Sequence, residues 1–577
     1  MSEESTLERK SRSTLTIEGA AWVAVLVLAA VVRLFQLGER PLSEAEATQA
    51  LAAYRFTQGA LTTAPGGSIP ALFTGNVLGF TVGGASDAIV RWLPVLTGLV
   101  LVLLPYGLRH RLGRGGALVA ALLLTFSPTA VYFSRTLETA MLVSASGLAL
   151  AMGLINYLDA RRPTALYMAA AALGFGLCAG AGFFTVLLVF LAFGLVLYLG
   201  RSLLDRAQGW DSVMIAWSAL RSHRAAQIRA GLVLAGTFGL TATAFVLHPA
   251  GIGHAADLMG AWVQGLLPGP WGQPFLYPLL LILRYEPLIL VLGLVEAVWV
   301  LGWRRADPRW YGLPQSGFPH TAFLAFWAIM AFVIVLLSAE EPAGGVLLAT
   351  VPLALLAGQG SERAWRWVDR RRLWGNALLF ATAALGLLAF FYLQIAFYSQ
   401  ASPSSALRIA DLTLYTTSTY LVLSAVALAL VVALGAAVWL WRGPSLVLAG
   451  GWLALLVALG LFGFQAMWRL NFAAEPRSLM ASQTTAPDVR MLVTELETLS
   501  RNRAGADHTL PLTTEAAIGP VVAWYLREFE EQTVVEGLAA SGGYTPPVGT
   551  AAAVTLAPEA PDADGPPIGE SFRGQGF

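Results

Sequence analysis

Glu44 and Glu46 stand two residues apart in RPLSEAEATQALAAYRFTQG (40–59), a polar stretch between long apolar ones. A carboxylate held at a membrane surface can take the proton of an attacking hydroxyl, or can ligate a metal ion. The Ala-rich, Pro-free composition predicts a helix over 43–57, on which residues two apart differ by about 200°. One of the two acids therefore faces any given pocket. Ala47, Ala50, Leu51 and Tyr54 make an apolar stripe on the Glu46 side, and the plain alternative is a solvated amphipathic helix. A second charged pair, Arg135 and Glu138 in SPTAVYFSRTLETAML (127–142), is spaced i,i+3 and shares one face of a helical turn, which would equally suit a local ion pair. A third group, Arg284, Tyr285 and Glu286, lies inside the apolar FLYPLLLILRYEPLILVLGL (275–294) beside Pro287. Ionisable residues there are costly and face a bundle interior or a watery cavity, and a proline frees a backbone carbonyl that something must satisfy. Arg284 and Glu286 are expected to meet different partners; the structural alternative is a buried pair with other helices. His248 and His254, with Asp257, could join a metal site, although their spacing is not diagnostic. Glu46, Glu138 and His248 are the candidate ligands, and a divalent cation is the candidate cofactor.

These residues are set in an apolar chain. Of 577 residues, 56% are hydrophobic and 12% charged, against about 25% charged in soluble domains. Apolar runs recur along most of the length and predict a mainly α, polytopic helical membrane protein with about thirteen spans. They fall near 18–37, 88–108, 115–132, 139–157, 164–180, 182–200, 231–250, 277–302, 321–339, 344–359, 375–398, 417–441 and 445–467. Arginines crowd alternate links, such as Arg109/Arg111/Arg114, Arg161/Arg162 and Arg363/Arg366/Arg370. The positive-inside rule then places the N-terminus in the cytoplasm of a plasma-membrane protein. The first loop, 38–87, and everything beyond about 469 fall outside. A transmembrane module over 1–468 is thus followed by an extracytoplasmic segment, 469–557. In it a helix (487–502) and short strands (HTLPLTT, QTVVEG, AAAVTLA) predict a small α/β domain. Residues 558–577 read as a disordered Pro/Gly/Asp-rich tail. The single cysteine, Cys178, excludes a disulfide within the chain. No nucleotide-binding loop and no HExxH are present, and nothing points to nucleic acid.

The charged groups of the first loop, the next outer link and the broken span predict a recess on the outer face. Transfer of a sugar from a lipid phosphate would use such a set. A carboxylate deprotonates the acceptor, arginine or a metal stabilises the departing phosphate, and a side opening leaves the lipid tail in the bilayer.

The serial order of motifs sharpens this. A first span ending in Arg33 is followed by RPLSEAEATQAL, then by GGASDAIVRWLPVLTGLVLVLLPYGLRHRLGRGGALVAALLLTFSPTAVYFSRTLE. This order resembles the GT-C membrane glycosyltransferases, the superfamily of protein O-mannosyltransferases and related family-39 enzymes. LRYEP, SAEEPAGGVLLATVPLALLAG and WYLREF (524–529) resemble a prokaryotic subgroup described as flippase-activity-associated. The resemblance implies a polyprenyl-phosphate sugar donor and chemistry on the outer face; the acceptor, whether protein, lipid or polysaccharide, is left open. It also implies an Asp-Glu-Ala-x-x-Ala motif in the first loop, with the Asp as base. Aligned on EATQA, Glu46 takes the Glu position and Ala45 the Asp position, with Glu44 one residue earlier. A family histidine is missing from GGSIPAL (66–72), whereas Arg135 and Glu138 keep their positions. The expected catalytic set is Glu46, Glu44 and Glu138, with Arg135, Arg284, Tyr285 and Glu286 on the substrate. The alternatives are a relative that binds lipid-linked sugars without turnover, and a transporter, against which no paired inverted repeat of broken helices is visible.

Overall fold

The computed structural model describes residues 16–59, 68–204, 208–266, 276–300, 318–337, 342–400, 406–409, 412–473, 479–480, 485, 488–515, 518–535 and 551–554. Helix α1 (Ile17–Leu34) starts where the Thr16 hydroxyl accepts the Gly19 amide, which satisfies one orphan donor of its first turn. The first loop holds α2 (Glu44–Thr57), α3 (Pro70–Gly83) and the single turn α4 (Asp87–Val90). The helix expected over 43–57 is α2. The apolar α3, which the sequence reading left as loop, packs its Phe73, Val77 and Phe80 into the core.

Next come α5 (Trp92–Gly107), α6 (Arg109–Leu112), α7 (Arg114–Phe126) and α8 (Pro128–Ser134). They are followed by α9 (Thr139–Ala160), α10 (Pro163–Ala179), α11 (Gly182–Leu204), α12 (Gln208–Ser222), α13 (Arg224–Ala242) and α14 (Gly251–Leu266). The broken pair α15 (Tyr277–Tyr285) and α16 (Pro287–Val298) leads to α17 (His320–Leu337), α18 (Pro342–Arg370) and α19 (Trp374–Gln400). A hairpin, β1 (Ala406–Ile409) and β2 (Leu412–Tyr415), joins α19 to α20 (Thr416–Arg442) and α21 (Pro444–Phe472).

By length and composition, eight described helices could each cross a membrane, and two bent pairs raise the number to ten. The pairs are α7/α8, bent by 62°, and α15/α16, bent by 102°. Proline sits at the first position of both second halves, where its missing N–H interrupts the helical ladder. Helices α5 and α10 are apolar but shorter. The stretch expected to span 231–250 is interrupted: α13 stops at Ala242, and Ala244, Phe245 and Val246 turn the chain through positive φ of 45°, 59° and 73°. The thirteen expected stretches thus all contain helix, but fewer are uninterrupted spans.

Helices α9 and α18 lie inside the bundle, each 78% buried over its apolar window, whereas α20 is 11% buried and lines the outside. Exposed Val432, Leu440 and Trp441 on α20 make an apolar exterior suited to lipid. Helices α7 and α18 cross closely because both carry glycine: a Cβ on Gly358 would lie 2.3 Å from the Gly116 carbonyl.

The carboxyl-terminal segment holds α22 (Asp488–Ala504), β3 (Leu512–Glu515), α23 (Gly519–Tyr525), β4 (Gln532–Val535) and β5 (Ala552–Val554). The strands form a parallel sheet in the order β4-β3-β5, and parallel pairing of consecutive strands requires a crossover, which α23 supplies between β3 and β4. Leu496 on α22 packs with Leu510, Leu512, Leu526 and Phe529. The tail expected over 558–577 lies outside the described residues.

Candidate functional site

Glu46 anchors the start of α2. It occupies the third helical position of a capping box: the Ser43 hydroxyl accepts the Glu46 amide, and Glu46 Oε2 accepts the Ser43 amide at 2.9 Å. Arg91, at the head of α5, donates Nε to Glu46 Oε1 at 2.9 Å and Nη2 to Oε2 at 2.8 Å. The Leu137 amide adds a bond to Oε1 at 2.8 Å. Burial alone would push this carboxyl up, but the Arg91 charge and these hydrogen bonds outweigh it and hold the group below the usual carboxylate range. Arg91 also donates to the carbonyls of Leu37, Arg40 and Pro41, and so ties segment 37–46 to the bundle. Glu46 is therefore enclosed and fully bonded. Its visible task is structural: it holds the start of α2 against α5.

Arg135 is likewise spent on backbone. It donates to the carbonyls of Val32, Arg33, Phe35 and Gln36, which end α1, and stacks 4.6 Å over the Phe472 ring. A guanidinium on the last carbonyls of a helix satisfies orphan acceptors and complements the helix dipole. Arg33 does the same for α7, donating to the carbonyls of Leu124 and Thr125. A Cβ on Gly98 would lie 3.0 Å from Arg33 Nε and 2.7 Å from Ser134 Cβ, so only glycine lets α5 pass there. Spacing on one turn gave no sign of this capping role.

Around the clamp, Glu138 and Arg40 remain half-buried beside buried Tyr132. Glu138 is half-buried and occupies the N-cap position of α9. Tyr132, on α8, feels the charges of Glu138, Arg40 and Glu46 at its hydroxyl. Arg40 is half-buried, and its guanidinium carbon lies 5.6 Å from the Tyr132 ring centroid. Glu44 is exposed on the first turn of α2, next to exposed Ala45, where the positive end of the helix dipole favours an anion. Sequence reading missed Arg40, Tyr132 and Arg91. The arginines carried a signal, since Arg40 and Arg91 flank the expected outer loop against the positive-inside bias.

Glu286 does not reach this cluster in the described contacts. It sits at the α15/α16 break, where its Oε1 accepts the Ser127 hydroxyl at 2.5 Å, the Thr129 hydroxyl at 2.6 Å and the Thr129 amide at 3.0 Å. The two broken helix pairs thus meet at one carboxylate, placed on the N-terminal donors of α8. Beside it runs an apolar cavity of about 290 Å³ between α7, α16 and α21, lined by Leu122, Phe126, Tyr285, Leu288, Gly463 and Phe464. Arg284 points to the exposed side of α15, away from buried Glu286, as expected for residues two apart. Tyr285 is buried in the core.

The candidate metal ligands Glu46, Glu138 and His248 do not gather into one set among the described residues. His248 stacks against Phe56 and Phe73, with ring centroids 5.5 and 5.2 Å away, and Glu46 is closed off by Arg91. His254 Nδ1 lies 3.1 Å from the Ser68 hydroxyl, and its ring centroid is 6.0 Å from that of His248. Among the described residues no three His, Cys, Asp or Glu side chains come together as a metal-ligand set. The sequence placed these residues near one another along the chain, but their rings face aromatics and a hydroxyl.

The carboxyl-terminal segment closes over the first loop. Asp87 on α4 accepts from Arg490 at 2.7 Å, Trp524 Nε1 at 2.8 Å and the Tyr525 hydroxyl at 2.6 Å. The Tyr525 oxygen also accepts the Leu42 amide at 3.1 Å, and the Thr485 hydroxyl donates to the Leu42 carbonyl at 2.6 Å. Trp524 is fully buried between Tyr54 of α2 and Phe80 of α3, with Arg527 stacked 4.0 Å over it. Segment 37–46 is thus gripped from the bundle by Arg91 and from the other side by Tyr525 and Thr485.

This architecture has a solved counterpart. ArnT from Cupriavidus metallidurans, bound to undecaprenyl phosphate, superposes over 90% of this chain and 87% of its own, with a TM-score of 0.52 at 15% identity. The chain has the GT-C fold. The same ArnT in its apo state gives a TM-score of 0.49 at 16% identity, over 90% of this chain and 86% of its own. An Archaeoglobus fulgidus oligosaccharyltransferase, in complex with zinc and sulfate, gives 0.43 at 11% identity, over 90% of this chain and 63% of its own. Residues 76–220 match the family model of dolichyl-phosphate-mannose-protein mannosyltransferase. That part of the GT-C fold contains Arg91, Tyr132, Arg135 and Glu138 and leaves out the α2 acids. No curated protein matches the chain.

Proposed function

We propose that this integral membrane protein transfers a sugar from a polyprenyl-phosphate donor to an acceptor on the extracytoplasmic face. The observation that carries the reading is the convergence of Glu138, Arg40 and Tyr132 beside the α2 loop, in a chain whose fold matches a transferase bound to undecaprenyl phosphate. Glu138 serves as the base that takes the acceptor proton, since Glu46 is neutralised by Arg91. Arg40 stabilises the leaving phosphate, because Arg135 is occupied by backbone carbonyls. Exposed Glu44 borders the acceptor entrance. The carboxyl-terminal domain, 469–557, holds the loop in register.

The test is full-length protein in vesicles with a panel of radiolabelled polyprenyl-phosphate sugars, with and without divalent cation. Transfer that Glu138→Gln and Arg40→Ala each abolish supports the assignment; transfer that both variants retain removes it. A second reading rests on Ala45, which stands exposed where the resemblance expects the catalytic aspartate. It is a GT-C relative that binds a lipid-linked sugar without turnover. Saturable donor binding with no product for any sugar would select it.

A further inference from the structure

The opposite end of α1 carries a different polar cavity. It measures about 340 Å³ and is walled by Glu18, Trp22, Leu103, Tyr106, Arg109 and Arg114. The length of α1, about 25 Å, separates it from Arg33 and the α2 loop. Its walls are fixed by one another. The Arg109 guanidinium lies 4.0 Å from the centroid of the Tyr106 ring, and Trp22 meets Tyr106 edge to face at 5.2 Å. Arg114 Nε stands 3.7 Å from Glu18 Oε2, a loose pair on a mostly exposed arginine.

Two buried polar atoms on these walls have no partner among the described residues. They are Glu18 Oε1, an acceptor, and Trp22 Nε1, a donor. More than nine in ten buried polar groups in native proteins are paired, and this orphan donor and orphan acceptor belong to two side chains that wall one cavity. A ligand there must offer both signs. A plain anion would satisfy the two guanidiniums, but would meet the Glu18 carboxylate. A plain cation would satisfy Glu18 but would meet the arginines.

We propose that this cavity binds a phosphate ester carrying a primary ammonium group, the chemistry of an aminophospholipid headgroup. The phosphate oxygens take hydrogen bonds from Arg109 and Arg114. The ammonium donates to Glu18 and rests against the aromatic walls. A quaternary ammonium has no N–H for Glu18 and fits less well. The neighbouring exterior is apolar, with Leu103 and Val23 exposed, which suits attached acyl chains. The site is independent of the sugar-transfer reading.

Native mass spectrometry of the full-length protein in mixed micelles tests it, with phosphatidylethanolamine, phosphatidylglycerol and phosphatidylcholine at equal concentration. Wild type should retain phosphatidylethanolamine about ten-fold over the other two, a difference expected of one charge-assisted hydrogen bond. Glu18→Gln should erase that preference, and Arg109→Gln should lower retention of all three. A parallel arm adds free O-phosphoethanolamine. Competition at micromolar concentration makes the natural ligand a soluble ester, and competition only at millimolar concentration makes it the lipid; both support the headgroup chemistry. Equal retention of the three lipids by wild type overturns the proposal, as does a preference that survives both Glu18→Gln and Arg114→Gln. The Arg114 variant, at an exposed side chain, keeps the test decisive if Arg109→Gln fails to fold.

Discussion

Arg91 grips both carboxylate oxygens of Glu46 from 45 residues away, at 2.9 and 2.8 Å, and both side chains are out of solvent. Removing one partner leaves a buried charge uncompensated. Arg91→Leu should therefore destabilise the protein by about 3–5 kcal/mol. The double variant Arg91→Leu/Glu46→Leu should recover part of the loss. Thermal unfolding in detergent measures both; wild-type stability of Arg91→Leu would show that the pair does not hold the loop.

The same pair predicts a pH dependence. Glu46 has a folded pKa below its ordinary 4.5, because the Arg91 charge and hydrogen bonds overcome the effect of burial. Its contribution is complete above about pH 4.5 and is lost as pH falls through the depressed folded value. Wild type should therefore lose stability on acidification below pH 4.5 more steeply than Glu46→Gln, and denaturation midpoints across that range compare the two.

Glu138 is half-open beside Arg40 and Tyr132, whereas Glu44 is exposed at the edge of the loop. If Glu138 is the base, Glu138→Gln should lower the rate of transfer by about 10²–10⁴ with unfolding temperature unchanged. Glu44→Gln should cost less than about ten-fold. A larger loss from Glu44→Gln, measured as kcat in the vesicle assay, would move the base to α2.

Tyr525 bridges Asp87 and the Leu42 amide through one hydroxyl. Burial first, then the Asp87 bond, raises that phenol to about 12. Tyr525→Phe should cost about 1 kcal/mol and speed hydrogen exchange at Leu42 while leaving exchange in α9 and α18 unchanged. In wild type the bridge is intact below pH 10 and is lost as pH rises through about 12, which ultraviolet titration can follow.

Glu286 satisfies Ser127 and Thr129 where two broken helix pairs meet. Glu286→Ala should cost about 1–3 kcal/mol for each buried donor left unpaired. Glu286→Gln, which keeps an acceptor oxygen, should lose less. Thermal unfolding of the two variants separates the effects.

Much of this molecule was legible in its residues. Hydropathy is a local property, so the apolar stretches and the break at Pro287 could be read directly, whereas the break at Pro128 fell inside the expected span 115–132. So could α2, whose alanines put Ala47, Ala50 and Leu51 on one buried face. The reading failed where a partner lay far along the chain. Arg135 was expected on the substrate, with a local pair to Glu138 as the alternative, and the structure shows it capping α1 a hundred residues back. His248 looked like a ligand near Asp257, yet it faces Phe56 and Phe73.

By itself the sequence determined that the chain is a bundle of membrane helices with acids on its first loop, since periodicity and composition set each helix and the face it buries. Only the tertiary structure decided which acid is closed off by a counter-ion. On one helix, spacing put Glu44 and Glu46 on different sides, but it could not say which side would meet Arg91. A carboxylate's chemistry depends on its counter-ion and its access to solvent, and both are supplied by parts of the chain that only folding brings together.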